Sequence, residues 1–213
     1  MVSRTRAQSP ARSRVIVLIA VGAAFMSGLD LFVVNVAFDQ IGVSLGVGTD
    51  GGPTIADMSW ILNIYAVVYA ALLVPLGRIA DRYGRKTVFV GGLALFVAAS
   101  AACALSGNVW MLVLFRGLQA AGAAAMTPTS LSILMAALPP EKRIGGVRMW
   151  SATGAAAAAL GPTIGGFLTG ISWHWVFLIN LPIGVVLLWL AVRHVRDTEH
   201  DEDAKTPDLL GAL

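Results

Sequence analysis

The sequence predicts an all-α membrane protein with six transmembrane helices. Hydrophobic residues make up 57% of the 213 residues and charged residues only 13%, a balance far from that of a soluble domain. A helix needs about 20 mostly apolar residues to cross a bilayer, and six such runs occur. The runs are too long and too uniformly apolar for the alternating strands of a membrane β-barrel. The predicted spans are residues 15–38, 60–79, 88–105, 110–137, 146–169 and 175–192.

Basic residues predict the orientation of these spans, because cytoplasmic connections carry an excess of Lys and Arg. Of the 15 basic residues, only Arg116 lies deep within a span, and the connections on the opposite side of the membrane hold none. The others lie before the first span, at or between the facing ends of spans two and three and of spans four and five, and after the sixth: Arg4, Arg6, Arg12, Arg14; Arg78, Arg82, Arg85, Lys86; Lys142, Arg143, Arg148; Arg193, Arg196, Lys205. Both termini are therefore expected in the cytoplasm.

The charge pattern divides the chain into three parts. Residues 1–14 are expected to form a basic cytoplasmic N-terminus, and residues 15–194 the six-helix transmembrane bundle. Residues 195–213 are expected to form a cytoplasmic linker, acidic over 197–203, followed by the beginning of a seventh helix at 208–213. The sequence contains no metal cluster, nucleotide-binding loop or nucleophile arrangement, so neither an enzyme nor a bound cofactor or metal is expected.

Two ionisable residues lie clearly within the spans, where a charge is costly and usually functional. Asp30 is 15 residues from the start of the first span, about 22 Å along a helix. Arg116 is six residues from the outer end of the fourth span, which places it roughly 21 Å from the cytoplasmic end. Opposite charges at matching depth lower each other's burial cost, so the two are predicted to pair.

The fourth span continues this polar character along one helical face. Polar or small residues recur there at steps of three and four: Arg116, Gln119, Ala123, Met126 and Ser130. Such a face suits a water-filled cavity, but polar side chains also bond to neighbouring helices in membrane bundles. For Gln119 both interpretations stay open, whereas the cost of burying Arg116 favours a functional role.

The fifth span is rich in small residues. Gly154 precedes five alanines, and the segment GPTIGG follows at residues 161–166. Gly161 with Gly165, and Gly166 with Gly170, have the spacing that lets a second helix approach closely. Pro162 is expected to bend the helix. This face suits either a sliding contact or a static packing surface, and spacing alone does not decide between them.

Several segments resemble motifs of the major facilitator superfamily in order and spacing. Residues 77–86, GRIADRYGRK, resemble the signature loop between helices two and three. Residues 29–37 and 116–122 resemble the first-helix and fourth-helix motifs of its drug:proton antiporter branch, and residues 173–184 resemble a sixth-helix motif of the fourteen-helix multidrug subgroup. Residues 161–166 resemble the fifth-helix motif of antiporters. Ala157 and Asp39 depart from these motifs, standing where glycine and proline are usual.

The resemblance implies roles for individual residues. Asp30 would be the proton-coupling carboxylate or a cation-recognising group, with Arg116 biasing its protonation; Gln119 and Asn35 would belong to the same cavity. Asp81 and Arg85 would gate against the other half of the transporter, and Gly77 and Gly84 would supply turn geometry. Arg82 and Lys86 are expected to anchor topology and meet anionic lipid. Gly154, Gly161, Pro162, Gly165 and Gly166 would form the antiporter-type helix.

The expected function is proton-coupled efflux of small, lipophilic or cationic compounds across the cell's inner (plasma) membrane, with the proton gradient as energy source. Superfamily transporters have two six-helix halves with the substrate site between them, and this chain resembles the N-terminal half. A second half, from the same or another chain, is therefore an expected partner, together with lipid, protons and substrate; nucleic acid is not. The alternatives are a small dimeric transporter and a truncated or non-transporting subunit or remnant.

Overall fold

A computed structural model describes residues 10–195. Arg4, Arg6, Arg196, Lys205, the predicted linker at 197–203 and the predicted helix start at 208–213 lie outside the described residues. All regular structure within residues 10–195 is helical, which confirms the all-α prediction. The helices are α1 (Pro10–Ser44), α2 (Ile55–Tyr83), α3 (Arg85–Ala104), α4 (Val109–Ala137), α5 (Pro140–Thr169), α6 (Trp175–Leu178) and α7 (Asn180–His194).

The helices match the six predicted apolar runs and extend beyond several of them. The first helix continues past Asp39 to Ser44 and so is longer than the predicted span. Taking α6 and α7 together, five helices of the described chain are long and apolar enough to cross a membrane. The helix outside that set is α5, whose many glycines and polar first turns lower its hydropathy. The cytoplasmic placement of both termini stays a prediction.

The predicted ten-residue loop at 77–86 is wrong in its extent. The second helix runs through Tyr83 and α3 begins at Arg85, so Gly84 is the only residue between them. Its φ of +97° is a conformation that glycine adopts at low cost. Gly77 lies within α2 and supplies no turn; a Cβ there would sit 3.7 Å from Pro128 of α4, an ordinary contact. Of Gly77 and Gly84, only Gly84 therefore supplies turn geometry.

The sixth span is interrupted once, at Ile179 between α6 and α7. Pro182 has no backbone N–H to donate to the carbonyl four residues earlier, so the helical bonding fails at this point. The backbone of Ile179 stays in the right-handed helical region, and the two helices continue in one span. The interruption places Asn180 at the start of α7.

The fourth helix lies at the centre of the bundle, packed mainly against α2 and α3, and α1 packs along α5. The apolar core has two clusters. One lies towards the end of the bundle that holds Gly84 and includes Ile19, Phe89 and Leu93. The other lies towards the opposite end and includes Ile41 and Val109. Between the two lie several buried polar residues, Asp30 and Arg116 among them.

Candidate functional site

Four helices bring polar side chains together between the two apolar clusters. Each side chain is at most 1% exposed: Asp30 on α1, Ser100 on α3, Arg116 and Gln119 on α4, and Asn180 on α7. A buried polar group is costly unless its hydrogen bonds are made. These five residues are here called the buried network. The hydrogen bonds that they make with one another offset the cost of their burial.

The ion pair predicted from matching depth is present in the structure. Arg116 Nη1 lies 2.5 Å from Asp30 Oδ2, and neither side chain reaches solvent. Removing one member of such a pair leaves an uncompensated buried charge, which is strongly destabilising. The pair thus joins α1 to α4 at the centre of the bundle.

Aromatic rings enclose the guanidinium of Arg116. Its Cζ lies 4.2 Å from the centroid of the Tyr65 ring and 5.9 Å from that of Phe177. Its Nε donates a long hydrogen bond of 3.4 Å to the Ile61 carbonyl. The π face of an aromatic ring attracts a cation, more strongly where water is excluded. Arg116 is thereby held between α2 and α6 while it pairs with α1.

Gln119 connects the pair to α3. Its Oε1 accepts a bond of 2.6 Å from Arg116 Nη1, and its Nε2 donates to Asp30 Oδ1 at 2.8 Å and to Ser100 Oγ at 2.7 Å. Both ends of this amide are therefore used. The Ser100 hydroxyl in turn donates to the Phe96 carbonyl at 2.8 Å. The structure gives Gln119 a bonding role and no open cavity.

Asn180 completes the surroundings of Asp30. Its Nδ2 donates to Asp30 Oδ1 at 2.9 Å and makes a longer contact of 3.4 Å with Ser100 Oγ. Its Oδ1 is buried and has no hydrogen-bond partner among the described residues. Sequence reasoning placed Asn180 only within the sixth-span motif and did not assign it or Ser100 to the site. Both are neutral, so the cost of burial that singles out Asp30 gave no signal for them.

The other predicted site residues on α1 and α4 lie apart from the buried network. Asn35 is exposed and donates to the Leu31 carbonyl of its own helix at 2.9 Å. Ala123 and Met126 pack in the apolar core, and Ser130 accepts a bond of 3.1 Å from Trp150 Nε1. The polar face of α4 is thus buried by packing, and the structure does not expose it to a cavity.

A cavity of about 330 Å³ lies beside the network, between α1, α2, α4 and α5. Aromatic, hydroxyl and small side chains line it, and no charged residue does: Ala24, Ser27, Gly28, Leu31, Tyr65, Ala66, Tyr69, Thr127, Trp150, Ser151 and Gly154. Tyr69 donates to Thr127 Oγ1 at 3.1 Å. Tyr65 alone among the described residues both lines the cavity and stacks on Arg116. Asp30 does not reach the cavity wall.

The small residues of α5 divide between two faces. Gly161 and Gly165 are buried against α1, where an added Cβ would lie 2.5 Å from Phe32 Cβ and 3.1 Å from Val36 Cβ. A Cβ at Gly154 or Gly166 would meet nothing within 4 Å, and Pro162 is also exposed. The first face packs closely against α1 within this chain, and the second is open.

The charged residues around Gly84 form local contacts. Arg85 Nη2 lies 3.0 Å from Asp81 Oδ1, with the two side chains 38% and 56% exposed, so the pair is on the surface. The Arg82 guanidinium lies 5.5 Å from the centroid of the Tyr83 ring. A gate between Asp81, Arg85 and a second half stays a prediction. Among residues 10–195, no three His, Cys, Asp or Glu side chains lie together as a metal site would require.

An apolar helical bundle that buries an ion pair beside a cavity has the architecture of a membrane transport protein. A profile of the Major Facilitator Superfamily matches residues 20–211. The chain is 39% identical over 176 residues to a methylenomycin A resistance protein of Streptomyces coelicolor, covering 82% of this chain and 36% of that protein. It is 35% identical over 206 residues to multidrug resistance protein Stp of Mycobacterium tuberculosis, covering 95% and 37%.

The fold is similar to that of a solved transporter, a bacterial homolog of the human lysosomal protein Spinster. The TM-score is 0.69 at 22% identity, over 94% of this chain and 47% of that one. The chain belongs to the Major Facilitator Superfamily, a family of transporters and not of enzymes, as its motifs predicted. It spans a little over a third of the length of the two drug-resistance relatives and about half of the Spinster homolog.

Proposed function

We propose that this chain is the N-terminal half of a proton-coupled exporter of small lipophilic compounds. The observation that carries the proposal is the fully buried pair of Asp30 and Arg116 beside an uncharged cavity. An ionisable group at the centre of a membrane bundle is by default a functional group. The drug-resistance names of the two relatives above support export as the direction of transport.

Asp30 is the proton-binding group in this proposal. Its carboxylate accepts three hydrogen bonds, one of them from the guanidinium of Arg116. All three partners are donors, which match a carboxylate that accepts. A change of conformation that separates α1 from α4 would withdraw one of these donors, the guanidinium of Arg116. Proton binding and the packing of the two helices would then be coupled through the ion pair.

The compound to be exported would bind in the neighbouring cavity. Its lining offers the faces and edges of Tyr65, Tyr69 and Trp150 and a few hydroxyl groups, with no charge. Such a surface suits aromatic and lipophilic molecules by stacking and burial. A cationic compound would be held by the aromatic faces. Asp30 would not contact it, so the cation-recognising role considered for Asp30 is not part of the proposal.

A second six-helix half would complete the transporter in the inner membrane, with both termini of this chain in the cytoplasm. The exposed face of α5, with Gly154, Pro162 and Gly166, is smooth enough for another helix to move along it. Native size tests this part. On blots probed with an antibody to residues 197–205, a single covalent polypeptide carrying both halves gives a band at least twice the 22.3 kDa of this chain. A band at 22.3 kDa requires a separate partner.

The proposal is tested by Asp30→Asn, introduced at the native locus so that any second half is retained. In inverted membrane vesicles, ethidium transport driven by a pH gradient should be lost. The matched control is Asp39→Asn, which removes an exposed carboxylate from the same helix and should leave transport intact. Unchanged pH-driven transport in Asp30→Asn would refute Asp30 as the coupling acid. Absence of ethidium flux in the wild type, and of flux of a neutral lipophilic dye, would favour the non-transporting alternative.

A further inference from the structure

The buried network surrounds the side-chain oxygens of Asp30 with hydrogen-bond donors. All three hydrogen-bond partners of the carboxylate, Arg116, Gln119 and Asn180, are donors. A carboxylic acid is different, because its O–H must donate to an acceptor. If Asp30 takes up a proton, at least one partner has to offer an acceptor, and the three can be compared for their ability to do so.

Arg116 and Gln119 are unsuited to that change. A guanidinium has five donors and no acceptor. The amide of Gln119 could turn only by giving up the bond of 2.6 Å that its Oε1 accepts from Arg116. Its Nε2 donors would then face the cation. Gln119 is therefore fixed in its present orientation by the same Arg116 that pairs with Asp30.

Asn180 differs in that one end of its amide has no partner. Its Nδ2 donates to Asp30 Oδ1, and its Oδ1 is buried without a hydrogen bond among the described residues. A half-turn about its terminal torsion exchanges the two ends, which are nearly equal in size. In either orientation one end of the amide has no partner. Because Oδ1 makes no hydrogen bond now, the turn breaks none at that atom. The charge on Asp30 then decides which end faces it.

We propose that Asn180 retains the proton on Asp30 by turning its side-chain amide from donor to acceptor. The proton binds Asp30 Oδ1, and the new O–H donates to Asn180 Oδ1. No covalent bond of Asn180 changes, and the long contact of 3.4 Å with Ser100 Oγ is given up, because the one hydrogen of the Ser100 hydroxyl is already donated to the Phe96 carbonyl. Asn180 is a positioning residue that serves both states of Asp30. This inference rests on the proposed proton uptake.

The surroundings of Asp30 leave few other groups to take this role. From the helices packed around it, the charged or titratable side chains that face the network are Arg116, Tyr65, which stacks on the guanidinium, and Cys103. The Cys103 Sγ lies 3.9 Å from Gln119 Oε1 and directs its weak donor there. No hydrogen bond joins Tyr65 or Cys103 to Asp30 in the described structure. Asn180 is the bonded partner with an acceptor to spare.

The test is infrared difference spectroscopy of the full chain in lipid bilayers, as a function of pH. Asp30→Asn identifies the carboxylic acid band of Asp30. Chain labelled with ¹³C at the asparagine side-chain carbonyl should show, in the same pH step, a carbonyl band that shifts to lower wavenumber. That band should be absent from Asn180→Leu and retained in Asn63→Leu, which removes an exposed asparagine of α2.

The outcomes separate this inference from the proposed function. An Asp30 acid band without any asparagine shift, and with an unchanged acid band in Asn180→Leu, would overturn the role of Asn180 and leave proton uptake standing. If no Asp30 acid band appears at any pH at which the chain stays folded, both proposals fail. The labelled wild type requires no substitution, so the inference stays testable even if Asn180→Leu does not fold.

Discussion

The tight contact between α1 and α5 gives the sharpest prediction about stability. A Cβ added at Gly161 would lie 2.5 Å from Phe32 Cβ, whereas carbon atoms in contact are ordinarily about 3.5–4.0 Å apart. The Gly161→Ala change therefore requires the two helices to separate locally by about 1 Å. Both atoms are fixed to their backbones, so no side-chain rotation relieves the overlap. Overpacking of this kind costs about 1–3 kcal/mol.

Gly166→Ala is the matched control for Gly161→Ala. It makes the same change in the same helix, and its Cβ would meet nothing within 4 Å. Both variants gain helix propensity of up to about 1 kcal/mol, so their difference isolates the steric cost. At about 2–4 °C per kcal/mol for a chain of this size, Gly161→Ala should unfold about 2–12 °C below Gly166→Ala. Thermal unfolding of the purified chain in detergent measures this.

A rescue experiment identifies the contact itself. Phe32→Ala keeps the Cβ that Gly161→Ala would strike, whereas Phe32→Gly removes it. In a double-mutant cycle, Gly161→Ala should cost less in the Phe32→Gly background and equally much in the Phe32→Ala background. Equal midpoints for Gly161→Ala and Gly166→Ala, or equal coupling in the two backgrounds, would show that α1 and α5 are not packed as described.

Three further predictions concern the ion pair and the Gly84 break. Arg116→Leu leaves the carboxylate of Asp30 buried and unpaired, and should destabilise the chain by about 3–5 kcal/mol, with much of the loss restored by Asp30→Asn in denaturant unfolding. Gly84→Ala forces a side chain to φ +97° and should cost about 1–3 kcal/mol, whereas Gly77→Ala should be close to neutral in the same assay. Asp81→Asn removes a surface ion pair and should change stability by at most about 1 kcal/mol; a larger loss in the same assay would contradict a solvent-exposed pair.

The sequence by itself determined the fold class and the matching depths of Asp30 and Arg116. Six apolar runs require helices, because an unpaired backbone is too costly in hydrocarbon. The rise per residue then fixes the depth of Asp30 and Arg116, since depth along a spanning helix depends only on position in the chain. The order of the motifs was enough to predict the family, because a motif consists of residue types at fixed spacing along the chain.

The tertiary structure decided which side chains meet, because rotation of each helix about its axis is not fixed by the length of its apolar run. Rotation brings Asn180 to Asp30 and leaves Asn35 outside, although Asn35 is closer in sequence. Rotation also directs Gln119 towards the other residues of the buried network, and it leaves the cavity lined by uncharged side chains. Backbone geometry at a single residue decided the connection at Gly84, where hydropathy had suggested a loop. Charge and depth can be read along the chain, whereas direction around a helix is settled only by packing.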